Sequence, residues 1–251
     1  MSKKAKHHNK GKWSLIFLFI FIALMCYSGY KIVMWLIENT QSQQIIQEIA
    51  NKITITEDSE KNEKKYNVNF SDLKAKNEDT VAWLKVNGTG IEFPVVQSNN
   101  NDFYMNHSFD KSSNGAGWIF ADYKNKLDGT DRNIVIFGHN RRDGSMFGTL
   151  KNILNKEWYE TEENLTIPFI TEKEYAKYQV FSVYTLEAED YYITTNFASN
   201  ESFANFIEKI KSRSIKNFGI EVTGEDKILT LSTCADNNKY RVVLHAKKIN
   251  N

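Results

Sequence analysis

The sequence predicts a mainly β domain, a barrel or a sandwich, carried behind one membrane-spanning helix. Three observations lead there. Residues 13–37 form one long apolar run, the chain from about residue 70 breaks into eight short β-like runs divided by Asn, Gly and Asp clusters, and two stretches of helical periodicity interrupt them. With 251 residues, 41% hydrophobic and 25% charged, the chain is long enough to bury a sizeable core in one or two domains.

The first element is the apolar run itself, WSLIFLFIFIALMCYSGYKIVMWLI, whose only charge is Lys31. At about 1.5 Å per residue it spans roughly 37 Å as a helix, enough for a tilted membrane crossing. Residues 1–12 hold five lysines and no acid, which by the positive-inside rule predicts a cytoplasmic tail and puts everything after residue 37 outside the cell membrane. No small-x-small cleavage site follows the run cleanly, so a signal-anchor is favoured over a cleaved signal peptide. Leu24 and Met25 stand where a lipid-modified cysteine would need small residues, and Cys26 reads as an inert thiol in the apolar helix.

Residues 38–69 read as a stalk and N-terminal helical region. Ile45, Ile46, Ile49 and Ile53 give a sparse helical series that loosens into a charged spacer. The β region, residues 70–251, follows: VAWLKV, IEFPVV, GWIFAD, NIVIFGH, LTIPFI, YQVFSVYTL, ILTLSTC and YRVVLHAKKI. Asn87-Gly88 between the first two supplies the positive φ of a hairpin turn. Pro94 and Pro168 lie inside strand-like runs, which favours edge positions for those strands. Ser145 is a cap candidate for a helix placing Phe147, Leu150, Ile153 and Leu154 on one side. Ser199 or Asn200 does the same for Phe203, Phe206, Ile207 and Ile210.

Charge excludes one class of partner. Setting aside the five N-terminal lysines and Lys31 leaves 26 basic residues against 31 acidic, about −5, so no nucleic-acid footprint remains. There is no CxxC or HExxH spacing, and no metal or cofactor is expected.

The chemistry gathers around Cys234, which has no disulfide partner outside the apolar run and is therefore either a buried small hydrophobe or a reactive thiol. If residues 228–234 and 241–248 are antiparallel strands, Cys234 and Arg241 oppose one another at the mouth of the hairpin. An unperturbed thiol, with a pKa of about 8.5, needs a proton partner near neutral pH, for which histidine is the usual choice. His7 and His8 lie in the cytoplasmic tail. His245 is four residues from Arg241, roughly 13 Å along the strand, and reads as structural or surface. His107 sits in a polar loop, where local backbone bonding is the default. His139 closes the run NIVIF and emerges at a strand end, where rigid scaffolds often present function.

TLSTC ending at Cys234, the arginine of YRVV, and FGHN around His139 together resemble the sortases, cysteine transpeptidases of Gram-positive surfaces. GHNRRDGSMFGTLKNIL and the helix before the last two strands are similar to class B. The resemblance covers about residues 70–249. It implies an eight-stranded sortase-type β-barrel with a few helices, Cys234 as nucleophile, His139 as general acid or base, and Arg241 as the residue that binds substrate and steadies an oxyanion. It also implies a C-terminal sorting motif on secreted surface proteins, cleaved after Thr, and transfer through a thioacyl enzyme to an amine of peptidoglycan or its lipid-linked precursor. Asn140, Ser232 and Thr233 are the expected substrate-binding residues, Ser232 before Thr233 because alternation puts only Ser232 on the face of Cys234. The 200–214 helix is the expected wall of the donor groove. In one departure, Ala235 stands directly after the cysteine where the class B pattern carries an acid, and Asp236 follows it.

Two other readings remain open. A cell-wall cysteine peptidase would also be exported with one Cys and one His, but papain-like enzymes place the Cys first and at a helix start. In a non-enzymatic, membrane-tethered surface binding domain, Cys234 would be a buried hydrophobe and slow to alkylate.

Overall fold

A computed structural model describes residues 10–50, 53–58, 63–187, 189–235 and 240–249. It divides into a unit of residues 1–43 and a unit of residues 44–251. Helix α1 (Lys10–Ala50) begins in the first, where Phe17 and Phe19 are 65% and 68% exposed. Its length and composition suit a membrane crossing, since it is apolar around its whole circumference and buried by no protein.

In the second unit the end of α1 is core. Ile49 is buried, Ile45 and Ile46 pack beside it, and Glu48 forms an ion pair with Lys76. Where composition suggests a charged spacer, the chain instead forms an antiparallel hairpin, β1 (Ile53–Asp58) with β2 (Glu63–Val68). The β-branched series Ile53-Thr54-Ile55-Thr56 suits a strand better than a helix, and local preference prevails over net charge. Helix α2 (Phe70–Lys76) follows, its first turn capped by Asn69, which accepts the Asp72 N–H.

The eight predicted runs are the eight strands of a closed barrel: β3 (Thr80–Val86), β4 (Ile91–Val96), β5 (Phe120–Ala121), β6 (Asn133–Gly138), β7 (Thr166–Ile170), β8 (Tyr175–Glu187), β9 (Ile228–Ala235) and β10 (Tyr240–Ile249). Their order around the wall is β10, β8, β7, β3, β4, β5, β6, β9. Two neighbouring pairs are parallel, β4 with β5 and β6 with β9. Closure leaves no edge strand, so the edge expectation for the prolines holds only locally. Pro94 pairs with Trp83 while β4 meets β5 only at Val96, and Pro168 pairs with Lys177 beyond the two residues that tie β7 to β3. Each proline nitrogen is thus spared a second ladder.

Of the two expected helices, α4 (Asn200–Ser212) forms as read. Ser199 and Ser202 make a reciprocal capping box, and Phe203, Phe206, Ile207 and Ile210 are buried. The other does not start at Ser145. Asp143 takes the Ser145 N–H and hydroxyl into a turn, Met146 adopts φ +52°, and Asn140 bridges Met146; only a short 3₁₀ turn, Leu150–Leu154, follows, then α3 (Lys156–Glu160). A left-handed Met146 cannot belong to a right-handed helix.

Alternation divides the wall into two faces. Leu229, Leu231, Val242, Leu244 and Ala246 join the main core, whereas Ile228, Val243 and Tyr184 face a second apolar layer built on α4. Ser182 of β8 donates to the Ile210 carbonyl at 2.7 Å, fastening α4 to that outer face.

Candidate active site

The site follows from the register of three adjacent strands. β9 and β10 pair so that Cys234 lies opposite Arg241, Ser232 opposite Val243 and Thr230 opposite His245. On its other side β9 runs parallel to β6, with Phe137 opposite Ser232 and Gly138 opposite Thr233. His139 is the next residue. Thr230 and Ser232 are thereby flanked by His245 and Val243 of β10 on one side and by Val135 and Phe137 of β6 on the other, and the pair of positions 234 and 241 follows toward the strand ends. The end of β6 at Gly138 is thereby brought to one rim with the end of β9 at Ala235 and the start of β10 at Tyr240. Asp236 lies outside the described residues.

His139 is half-buried and closely held. Its Nε2 is 2.7 Å from the Met105 carbonyl oxygen, and its own carbonyl accepts the N–H groups of Arg141 and Phe147 at 3.1 and 3.0 Å. Gly117 (φ +61°) lies against the ring, where a Cβ would come within 2.8 Å of His139 Cδ2. Below it, Arg141 and Asp143 form a 2.7 Å ion pair. Burial pushes the Asp143 carboxyl up, but the bonds from Arg141 and Ser145 prevail and hold it below the ordinary carboxylate range.

The expected substrate-binding residues occupy different settings. Ser232 is buried, with its hydroxyl 2.9 Å from the Tyr192 hydroxyl. Thr233 is also buried, in the opposite strand phase. Asn140 carries the backbone bridge to Met146 at the turn after His139. His107 bonds through Nδ1 to the Phe103 carbonyl at 2.7 Å, the local backbone contact expected of it.

His245 is fully buried behind the rim. Its Nε2 is 2.8 Å from the Tyr184 hydroxyl and its Nδ1 2.8 Å from Thr230 Oγ1. The protons can be assigned. Asn133 Nδ2 donates to the Thr194 carbonyl, so its Oδ1 accepts the one Thr230 hydroxyl proton; Thr230 must then accept from His245 Nδ1–H, and Tyr184 donates to bare Nε2. Burial lowers the His245 pKa to about 3 and pushes the Tyr184 phenol far above its usual range, so both stay neutral in these roles.

Tyr184, Tyr192, Met105 and Gly117 escape a sequence reading. The tyrosines look like ordinary strand and loop aromatics, a backbone carbonyl has no signature, and Gly117 reads only as a turn glycine.

The Sortase domain family model matches residues 84–249. Sortase B of Listeria monocytogenes is 35% identical over 241 residues, which are 92% of this chain and 94% of that protein. Among solved structures, sortase B from Bacillus anthracis in complex with AAEK1 matches with a TM-score of 0.74 and 32% identity, covering 86% of this chain and all of that one. A Staphylococcus aureus sortase B–substrate complex matches with a TM-score of 0.67 and 34% identity, over 72% of this chain and 84% of that one.

Proposed function

We propose that this chain, which belongs to the sortase family and is a cysteine transpeptidase of the sortase B type that anchors surface proteins to the cell wall, uses Cys234, His139 and Arg241 to cut a sorting motif after Thr and to pass the acyl group to a peptidoglycan amine. The observation that carries this reading is the three-strand register in which position 234 is paired with 241 and flanked by the strand that ends one residue before His139.

In the first half-reaction the Cys234 thiolate attacks the carbonyl carbon of the Thr, and the C–N bond breaks as imidazolium His139 gives its proton to the departing amine. In the second, an incoming amine attacks the thioester and loses a proton to neutral His139, and the C–S electron pair returns to sulfur. Arg241 cannot deprotonate, so its part is to bind the developing negative oxygen. Asn140, Ser232 and Thr233 contribute to the donor site, and α4 with the segment before it forms its wall. Residues 13–37 hold the enzyme in the membrane with the lysine-rich tail in the cytoplasm, and the barrel meets its clients and peptidoglycan, or the lipid-linked precursor, outside.

The test is turnover of quenched fluorescent peptides carrying varied sorting motifs by the full chain in detergent micelles, with and without an added amine. Motif-selective cleavage with an amine-linked product, abolished in Cys234→Ala, is the expected result. Cleavage with water as the only acceptor would move the chain to the peptidases, and no Cys234-dependent turnover would overturn the assignment.

A further inference from the structure

We infer that the Met105 backbone carbonyl is the orienting partner of His139, holding its neutral ring in the Nε2–H tautomer so that Nδ1 is the atom that exchanges protons, and that Gly117 is the positioning residue that makes room for this grip. The inference rests on the acid–base reading of His139 for its consequence in catalysis, but the tautomer itself does not depend on it.

A carbonyl oxygen only accepts, so the ring nitrogen 2.7 Å from it must carry hydrogen. With Nε2 protonated, the neutral imidazole keeps its lone pair on Nδ1. Proton transfer to the leaving amine therefore leaves from Nδ1–H of the imidazolium, and the incoming amine returns a proton to the same atom, while Nε2–H stays on the carbonyl throughout.

The carbonyl is itself held still. Tyr104, immediately before Met105, is buried; its hydroxyl donates to Asp79 at 2.6 Å and accepts from Asn77 at 2.8 Å, and its carbonyl accepts the Trp118 N–H at 2.9 Å. Beside the contact between ring and carbonyl, Gly117 has φ +61°, and an added Cβ would lie 2.6 Å from the Tyr104 oxygen, 2.8 Å from His139 Cδ2 and 2.9 Å from the Met105 oxygen. Any side chain at 117 must push the ring and the carbonyl apart. The described histidines supply a contrast within the same molecule: His107 and His245 both hold Nδ1–H, against a carbonyl and a threonine hydroxyl respectively.

The direct test is long-range ¹H–¹⁵N correlation of the histidine-labelled full chain in micelles, with the His139 signals identified by their loss in His139→Asn. The expected spectrum has His139 as Nε2–H and His245 as Nδ1–H. A His139 that is mainly Nδ1–H, or an even mixture, overturns the inference, and this measurement needs no turnover and no altered backbone. Gly117→Ala adds the functional arm, compared with Gly129→Ala, which has a similar left-handed φ of +91° but nothing within 4 Å of a new Cβ. Displacing a catalytic group by about 1 Å costs on the order of 10²-fold. Gly117→Ala should lose about that much amine transfer and mix the His139 tautomers, with Gly129→Ala unchanged in both. Equal transfer in the two folded variants overturns the positioning role. Intact Nε2–H in an enzyme with no Cys234-dependent transfer would keep the tautomer but remove its catalytic meaning, and so separates failure of this inference from failure of the functional reading.

Discussion

His139 and His245 flank the same strand of the barrel, His245 paired with Thr230 of β9 and His139 one residue past the Gly138–Thr233 pair, and their surroundings are opposite. His245 has a hydroxyl on each ring nitrogen, no solvent, and a pKa driven to about 3 by burial. His139 stands one residue past a strand end, half-buried, with a backbone carbonyl on Nε2. Residue type alone is therefore not what separates a structural histidine from the one proposed to move protons. On the proposed reading the second nitrogen makes the difference: in His245 it is satisfied inside a closed chain of bonds, and in His139 it is the atom offered to substrate.

The strongest way to break that comparison is to remove each ring. His139→Ala should cost about 10²–10⁴-fold in amine transfer, the usual span for a general acid–base group, with little change in Tm. His245→Leu should do the reverse, losing about 1–3 kcal/mol of stability for each hydroxyl left without its partner while the folded fraction keeps its turnover. Loss of turnover in His245→Leu at unchanged Tm would erase the contrast.

A pH series sharpens it. Between about 3 and the ordinary 6.5, the unfolded chain binds a proton at position 245 that the folded chain does not, so stability from this group is complete above 6.5 and falls as pH drops toward 3. The slope is about 1.4 kcal/mol per pH unit at most. Denaturant titrations of wild type and His245→Gln across that window should show the slope in the first and its loss in the second; parallel curves would mean the ring is not kept neutral by burial.

The smallest effect concerns the cover over His245. Phe206 of α4 stands edge-on to the imidazole with ring centroids 6.4 Å apart, and Ser199 caps that helix. Ser199→Ala should cost about 1 kcal/mol, roughly 2–4 °C in Tm by differential scanning calorimetry, with amine transfer unchanged. No Tm shift would mean that barrel packing alone holds α4.

Much of this was legible beforehand because it is written in local patterns. Eight runs of strand periodicity became eight strands, the Ser199-capped amphipathic stretch became α4, and the apolar run became a helix long enough to span a membrane. The hairpin at 53–68 and the turn at 140–148 were misread for one reason. Charge and spacing suggest a spacer and a helix, whereas β-branched pairing and a left-handed Met146 settle the matter through contacts that composition does not record.

By itself the sequence singled out the candidate residues, since one cysteine outside the apolar run, an arginine seven residues later and a strand-end histidine are a statement about residue types and short spacing. Only the tertiary structure decided what surrounds them. The partner of His139 is a backbone carbonyl 34 residues away and that of His245 a tyrosine 61 residues away, and such pairings exist only once strands distant in sequence have closed into one barrel. Closure sets register, register sets which side chains share a face, and the partners met on that face determine which nitrogen carries the proton.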